Sequence, residues 1–442
     1  MATRQIISKN KNVASGVYVG KDGELWVDTV TNTMKISDGV TAGGATLTTD
    51  GGAGAVTYAA ITNINNAAGP TLIAVGNLAG NTSQGSEAVA IGVNAGQTTQ
   101  GISAVAIGYR AGYTTQGISA VAIGNDTGKT TQGASAVAVG PYAGETTQGT
   151  KAVALGYAAG YTTQGGSAVA VGDSAGETNQ SGYAVAIGND AGNTTQGASA
   201  VAIGNDAGKT TQGTQSVAVG NSSGETTQGD YAVALGYNAG TTSQGNEATA
   251  VGDSAGKTNQ GASAVAVGNA AGETTQGAGA VAIGLNAGKT TQSAQSVAIG
   301  DDAGQTTQGG YAVAIGRTAG EISQGGGGVA IGSGAGWTGQ GLSGIAIGYL
   351  ASETNQGADG ISLGYLTGQV NQGAAAVAIG KFAGQTNQAA NSIVLNATGT
   401  TLNNIVEDTF VVKPVRAVAG ALPTGFKQVA YNPTTGEFIS YG

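Results

Sequence analysis

The chain reads as an all-β protein: a parallel β-roll (β-solenoid) of about 20 rungs with 16-residue repeats, flanked by small β-rich N- and C-terminal modules. Three observations predict this. A glutamine recurs every 16 residues from Gln84 to Gln388, 20 times without an omission, and a fixed short period means that one unit stacks on the next. A short apolar stretch, such as Ala104-Val105-Ala106-Ile107-Gly108, precedes each turn and alternates with period two, the signature of a strand. Glycine makes up 82 of 442 residues, yet Val, Ile and Ala return in strict phase, which disordered tracts do not do.

With the glycine at 76, 92, 108 and onward to 380 as the zero of each cycle, the positions three and one before it are Val or Ile. Leu155, Leu235 and Leu363 are variants and Thr249 is a polar exception. The positions four and two before it are almost always Ala. One strand face is therefore aliphatic and the other small, and both avoid charge, so burial of both is expected. Two variable residues and then Ala-Gly follow, as in Asn205-Asp206-Ala207-Gly208, which supplies turn chemistry tolerant of positive φ. A second short strand comes next, Lys209-Thr210-Thr211-Gln212. Its first position varies freely and should face solvent, while Thr and Gln are expected to share an inward face.

Each cycle is thus one rung of two parallel strands and two tight turns. Twenty rungs at about 4.8 Å give a rod of roughly 95 Å. Identical residues sit above one another, so Gln84, Gln100, Gln116, Gln132, Gln148, Gln212, Gln388 and their equivalents can bond amide to amide along the axis. Breaking one link leaves buried amide groups unpaired, at about 1–3 kcal/mol each. At the exposed strand position Lys129 precedes Glu145, Lys209 precedes Glu225, and Lys257, Glu273 and Lys289 follow in succession. Opposite charges one rung apart favour this register. So thin a roll is hard to stabilise alone. The chain is therefore expected to form a homotrimer, with the Ala/Gly/Ser faces meeting near the axis.

Composition narrows the chemistry. With no His and no Cys, a Ser-His-Asp triad, a thiol nucleophile and an ordinary zinc site are all excluded. A net charge of −9 gives no basic footprint for nucleic acid. There is no run of 18 apolar residues, hence no expected membrane-spanning helix, and Met1 to Asn12 contains no apolar signal-like core. Asp126, Asp190, Asp206, Asp301 and Asp302 could hold Ca²⁺ with turn carbonyls, but they recur irregularly and read better as turn formers. Glycan depolymerisation needs paired acids in a groove, and no repeat carries a distinctive pair. Ice binding needs a flat, regular Thr array, which Ser, Asn, Ile and Val interrupt. No enzyme activity, cofactor or metal is expected.

The string AVAIGNDAGKTTQG at residues 200–213 resembles the left-handed parallel β-roll repeats of trimeric autotransporter adhesin heads, although the cycle there is about 14 residues. The likeness covers roughly residues 71–396, without those adhesins' secretion signal or membrane anchor. Residues 16–44 resemble the N-terminal modules of bacteriophage tail fibres, through Gly-Glu-Leu, Val-Asp-Thr and Lys-Ile-Ser-Asp-Gly. There, Glu24–Asp28 and Thr33–Ser37 read as two strands joined by a Thr-Asn turn and closed by Asp38-Gly39. Asn391–Asn396 repeats the strand once more with Asn in place of Gly, as a cap would. Thr409–Pro414 and Tyr431–Tyr441 resemble segments of phage and large-virus fibre proteins. In many of these the YNPTTGE segment precedes an endosialidase-type intramolecular chaperone that is removed after trimerisation. Ending at Gly442, the chain is expected to be a chaperone-free version or a mature product.

The organisation that follows is a virion-attachment-like module (1–50), a linker (51–70), the repeat shaft (71–396) and a β-rich tip (397–442). The resemblance implies a phage virion fibre or spike. It would contact other virion proteins through its N-terminal module and a host-surface glycan or protein through a multivalent tip. A fibre without a receptor and a cellular adhesin are the alternatives. Tyr109, Tyr113, Tyr157, Tyr161 and Trp337 are candidate surface contacts for glycans, because exposed aromatic faces stack on sugars.

Overall fold

A computed structural model describes residues 72–415 throughout, together with the strands Leu25–Asp28, Thr33–Ile36, Ala45–Thr46, Gln428–Asn432 and Glu437–Tyr441. Residues 72–415 form the expected β-solenoid, of about 21 turns with no helix. The first strand of each rung recurs every 16 residues from Ile73–Val75 to Val377–Ile379. It pairs in parallel with its neighbours and in perfect register, Val121 with Val137 and Ala122 with Ala138. Second strands run as an unbroken ladder from Ser83–Gln84 to Thr307–Gln308, and a separate three-stranded ladder follows at Thr338–Gln340, Thr354–Gln356 and Val370–Gln372. Stacking continues past 396: Ile393–Asn396 pairs in parallel with Phe410–Lys413, so one further turn follows the Asn391–Asn396 segment.

The interior corrects the expected orientation of the first strand. Ala104, Ala106 and Ala111 have no exposed surface, and Gln116 has 1%, whereas Val105 and Ile107 are only half-buried. The small face points into the roll, opposite glutamine, and the aliphatic face points out. The reason is width. Gln116 spans the rung to donate from Nε2 to the Val105 carbonyl at 2.7 Å. A Cβ placed on Gly112 would lie 2.9 Å from Gln116 Oε1 and 3.4 Å from the Ala106 Cβ. Methyl groups and one amide fill the section, and Val or Ile turned inward would overpack it. The small faces therefore cannot meet a partner chain at an axis.

A second correction concerns threonine. The threonine next to glutamine is exposed, as at Thr99 and Thr115, while the one before it is half-buried in some rungs (Thr114, Thr146, Thr162) and exposed in others (Thr98, Thr210), so the inward face expected of Thr is only partly formed.

The turns follow from backbone chemistry. Gly108 adopts φ +127°, open only to glycine, and a Cβ there would lie 2.2 Å from the Gly124 carbonyl oxygen of the next rung. Two residues later the chain is left-handed whatever its identity, as at Arg110, Tyr142 and Ala158. Asp126, Asp190, Asp206 and Asp302 occupy this position with φ of 52–56°, which is the turn role expected of them; Asp301 precedes it.

At the N-terminal side, Leu25–Asp28 and Thr33–Ile36 pair antiparallel, Leu25 opposite Ile36, and Ala45–Thr46 adds a third strand. This is the expected hairpin; its closing Asp38-Gly39 and the 51–70 linker lie outside the described residues. Near the C-terminus Gln428–Asn432 and Glu437–Tyr441 form a second antiparallel hairpin.

Candidate functional surfaces

The glutamine column is the continuous polar feature of the interior. From Gln116 to Gln324 each Nε2 donates to Oε1 of the next rung, for example Gln132 to Gln148 at 3.0 Å and Gln212 to Gln228 at 3.1 Å. The column resumes from Gln356 through Gln372 to Gln388. The amide does more than the expected side-chain ladder requires. Its second proton goes to the main-chain carbonyl eleven residues earlier, as from Gln212 to Val201 at 2.7 Å, which ties the second strand to the first within a rung. At Gln340 both protons reach carbonyls, of Val329 and Gly344, each at 2.9 Å, and the next acceptor, Gln356 Oε1, has no partner. Gln84 and Gln100 likewise make no inter-rung amide link; they bond to carbonyls such as Ile73 and Val89. Every Nε2 in the column donates within the rod, and the oxygens left without a donor, on Gln100, Gln116 and Gln356, are buried.

Outside, the charged row is only partly as expected. Lys129 meets Glu145 at 2.8 Å and Asp126 at 3.5 Å, and Arg110 joins through Asp126 at 3.0 Å. The hydrogen bond from Lys129 to Glu145 pushes the Lys129 pKa up, and the negative charge of Glu145 raises that of Tyr161. Lys209 turns to Asp206 at 2.7 Å and Asp190 at 3.4 Å rather than to Glu225, because the left-handed turn aspartates stand closer to it. Lys289 lies 3.7 Å from Glu273.

The five aromatic candidates do not form one platform. Tyr109 and Tyr157 stand beside the aliphatic face, three rungs apart and half exposed, while Tyr113, Tyr161 and Trp337 lie on the charged row. Three of the five are already engaged: Arg110 covers the Tyr109 ring at 4.6 Å, Tyr157 packs edge-on to Tyr142 at 5.7 Å, and Trp337 Nε1 donates to Glu321 at 2.5 Å. Glu321 is itself pushed up by burial, a shift that the Trp337 hydrogen bond partly opposes. The denser aromatic group is Tyr349, Tyr365 and Phe382, with ring centroids 5.3 and 5.7 Å apart and Lys381 over the Phe382 ring at 4.8 Å. Its signal was legible: Tyr349 and Tyr365 hold the same cycle position in adjacent rungs.

The outward aliphatic face runs along the whole roll. Ile91, Ile123, Leu155, Ile187, Leu235 and Leu363 are 37–46% exposed, and the column repeats in every rung. Flanking it, Tyr237, Leu285 and Tyr349 extend the apolar width. A stripe some 7 Å wide along roughly 100 Å amounts to about 700 Å², above the few hundred that monomers usually expose. Among the described residues, no group of three or more Asp or Glu is placed to hold a metal ion, and no helix is long and apolar enough to cross a membrane. Searches of family models, curated proteins and solved structures return no match to this chain.

Proposed function

We propose that this chain is the subunit of an external fibre, a phage virion fibre or spike, that holds a host-recognising tip away from the particle. The observation that carries the reading is the uninterrupted, one-direction stacking of the rungs with an aliphatic stripe along their whole length. A rod of this kind separates its two ends by a fixed distance and has a face that water disfavours. Three rolls whose stripes converge on a common axis would cover that face and the flanking aromatic row, which moves the trimer contact from the alanine face to the Val/Ile face. Three tips per fibre and several fibres per particle raise the effective concentration, so weak contacts with a glycan or protein suffice. The fibre resemblance of residues 16–44 and 409–441 supports the placement of attachment at one end and recognition at the other.

The mass of the full chain by sedimentation velocity tests the assembly: three chains are expected, and a purely monomeric rod would overturn it. Combining Ile203→Asp with Leu235→Asp, both on the stripe and two rungs apart, should shift the population towards single chains while the circular dichroism of the roll persists. Electron microscopy with an antibody to the tip tests location, and labelling of bacterial envelopes instead of virions would refute the virion assignment. Host-cell binding of a chain lacking 397–442 separates the roles, since undiminished binding would make the fibre a scaffold.

A further inference from the structure

The break between the two second-strand ladders has a backbone cause. The cause lies at the residue immediately before each glutamine of the column. In the long ladder its N–H points forward: Thr291 donates to Thr306 O at 3.0 Å. Past the break it points backward: Gly339 donates to Ile322 O at 2.9 Å and Asn387 to Val370 O at 2.8 Å. The peptide plane ahead of this residue has turned over, and the residue itself has become left-handed, at φ +58° in Ser323, +69° in Gly339, +54° in Asn355, +55° in Asn371 and +51° in Asn387.

The residue types account for the position of the change. Thr307 is the last threonine at this place in the cycle, and Ser, Gly, Asn, Asn and Asn follow. A β-branched residue resists the left-handed region, whereas Gly and Asn enter it readily. Composition of a single rung is not enough, because Asn179, Ser243 and Asn259 keep the forward form, each donating to the next rung at 3.0 Å. Turning over one rung alone would create two mismatched junctions, so only an uninterrupted run of tolerant residues reaching the end of the ladder switches.

At the single junction, both bounding carbonyls are used from the far side: Thr306 O accepts from Thr291, and Ile322 O accepts from Gly339. The N–H groups of Thr307 and Ser323 therefore face each other across one rung, and neither has an acceptor among the described residues. Both residues are exposed. We infer that the shaft carries one reversal of hydrogen-bond polarity, between Thr307 and Ser323, where two converging backbone N–H groups take a solvent oxygen in place of a rung-to-rung bond. It is the joint at which this edge of the rod opens first, and its place is set by the last threonine of the column.

Residue-resolved hydrogen exchange on the full chain tests this. The Thr307 and Ser323 amides should exchange orders of magnitude faster than those of Thr291 and Gly339, which are bonded across rungs. Equal protection at all four would overturn the reversal. Ser323→Thr should carry the fast pair to residues 323 and 339, since threonine extends the forward form by one rung. A fast pair that stays at 307 and 323 in the folded variant would overturn the role assigned to residue type.

Discussion

Replacing Gln212 by leucine removes one link from the middle of the buried column with little change of volume. In the native chain Gln212 is 2% exposed, donates to Val201 O at 2.7 Å and Gln228 Oε1 at 3.1 Å, and accepts from Gln196 Nε2 at 3.0 Å. Leucine leaves the Gln228 oxygen without a donor in a site closed to water, and leaves one Gln196 proton only the long contact to the Ala200 carbonyl at 3.4 Å. The orphaned oxygen costs about 1–3 kcal/mol, and the weakened Gln196 bond adds up to about 1 kcal/mol. The loss should be local, because a solenoid is stabilised rung by rung and by its nearest neighbours. Thermal unfolding followed by circular dichroism, with hydrogen exchange of the rungs around 196–228, reads both the size and the spread. Gln84→Leu is the control: Gln84 is partly exposed in the first rung and makes no inter-rung amide bond, so its cost should be much smaller. Equal costs at 84 and 212, or a stabilising Gln212→Leu, would refute the claim that satisfied amide links hold the column.

Further outcomes follow from the same geometry. Ala202→Leu puts a branched side chain into a section already filled by methyls and Gln212, and should destabilise by about 1–3 kcal/mol; Ile203→Ala, one residue on but outward, should cost the isolated roll less, and urea titrations distinguish the two. Lys129 has a raised pKa in the fold through Glu145, so its contribution is complete below its ordinary value of 10.5 and disappears as pH rises through the folded value. The melting temperature of Lys129→Met should accordingly lie below wild type at neutral pH and converge with it in strong alkali. Glu321 is also raised, by burial, so the fold retains its proton to higher pH than the unfolded chain does. That stability is complete below the ordinary value of 4.5 and is lost as pH rises through the folded value, and Glu321→Gln should flatten this step in a pH series of melts.

Period, strand spacing and the inward glutamine were legible because each is a property of the repeat itself. Gln84 to Gln388 recur at one interval, and an amide that never varies in a column has to be stacked. The direction of the first strand was not legible. Alternation of Val105 and Ile107 with Ala104 and Ala106 shows that two faces differ, but not which one points inward. The usual expectation sends the larger apolar side chains to the core. Here the glutamine opposite takes the space that Val and Ile would need, and only a count of volume across one rung reveals it. The Lys209 pairing was missed for a related reason: rung-to-rung charge order ignores Asp206, which a left-handed turn lifts beside the ammonium group.

The inverted packing also separates two tasks that a globular core combines. Alanine methyls bury little area, so the interior contributes mainly geometry: close approach, fixed register and a hydrogen-bonded amide column. The side chains with most apolar area, at Val and Ile positions such as Val201 and Ile203, stay on the outside, where stacking between rungs covers them only in part and the exposed remainder stabilises nothing until another surface covers it. A chain built in this way relies on hydrogen bonds for its register and leaves part of its hydrophobic free energy unrealised in the single roll. Substitutions on the two faces should therefore have opposite signatures, with changes at Ala202 or Gln212 altering the melting of each roll and changes at Ile203 or Leu235 altering how many rolls come together.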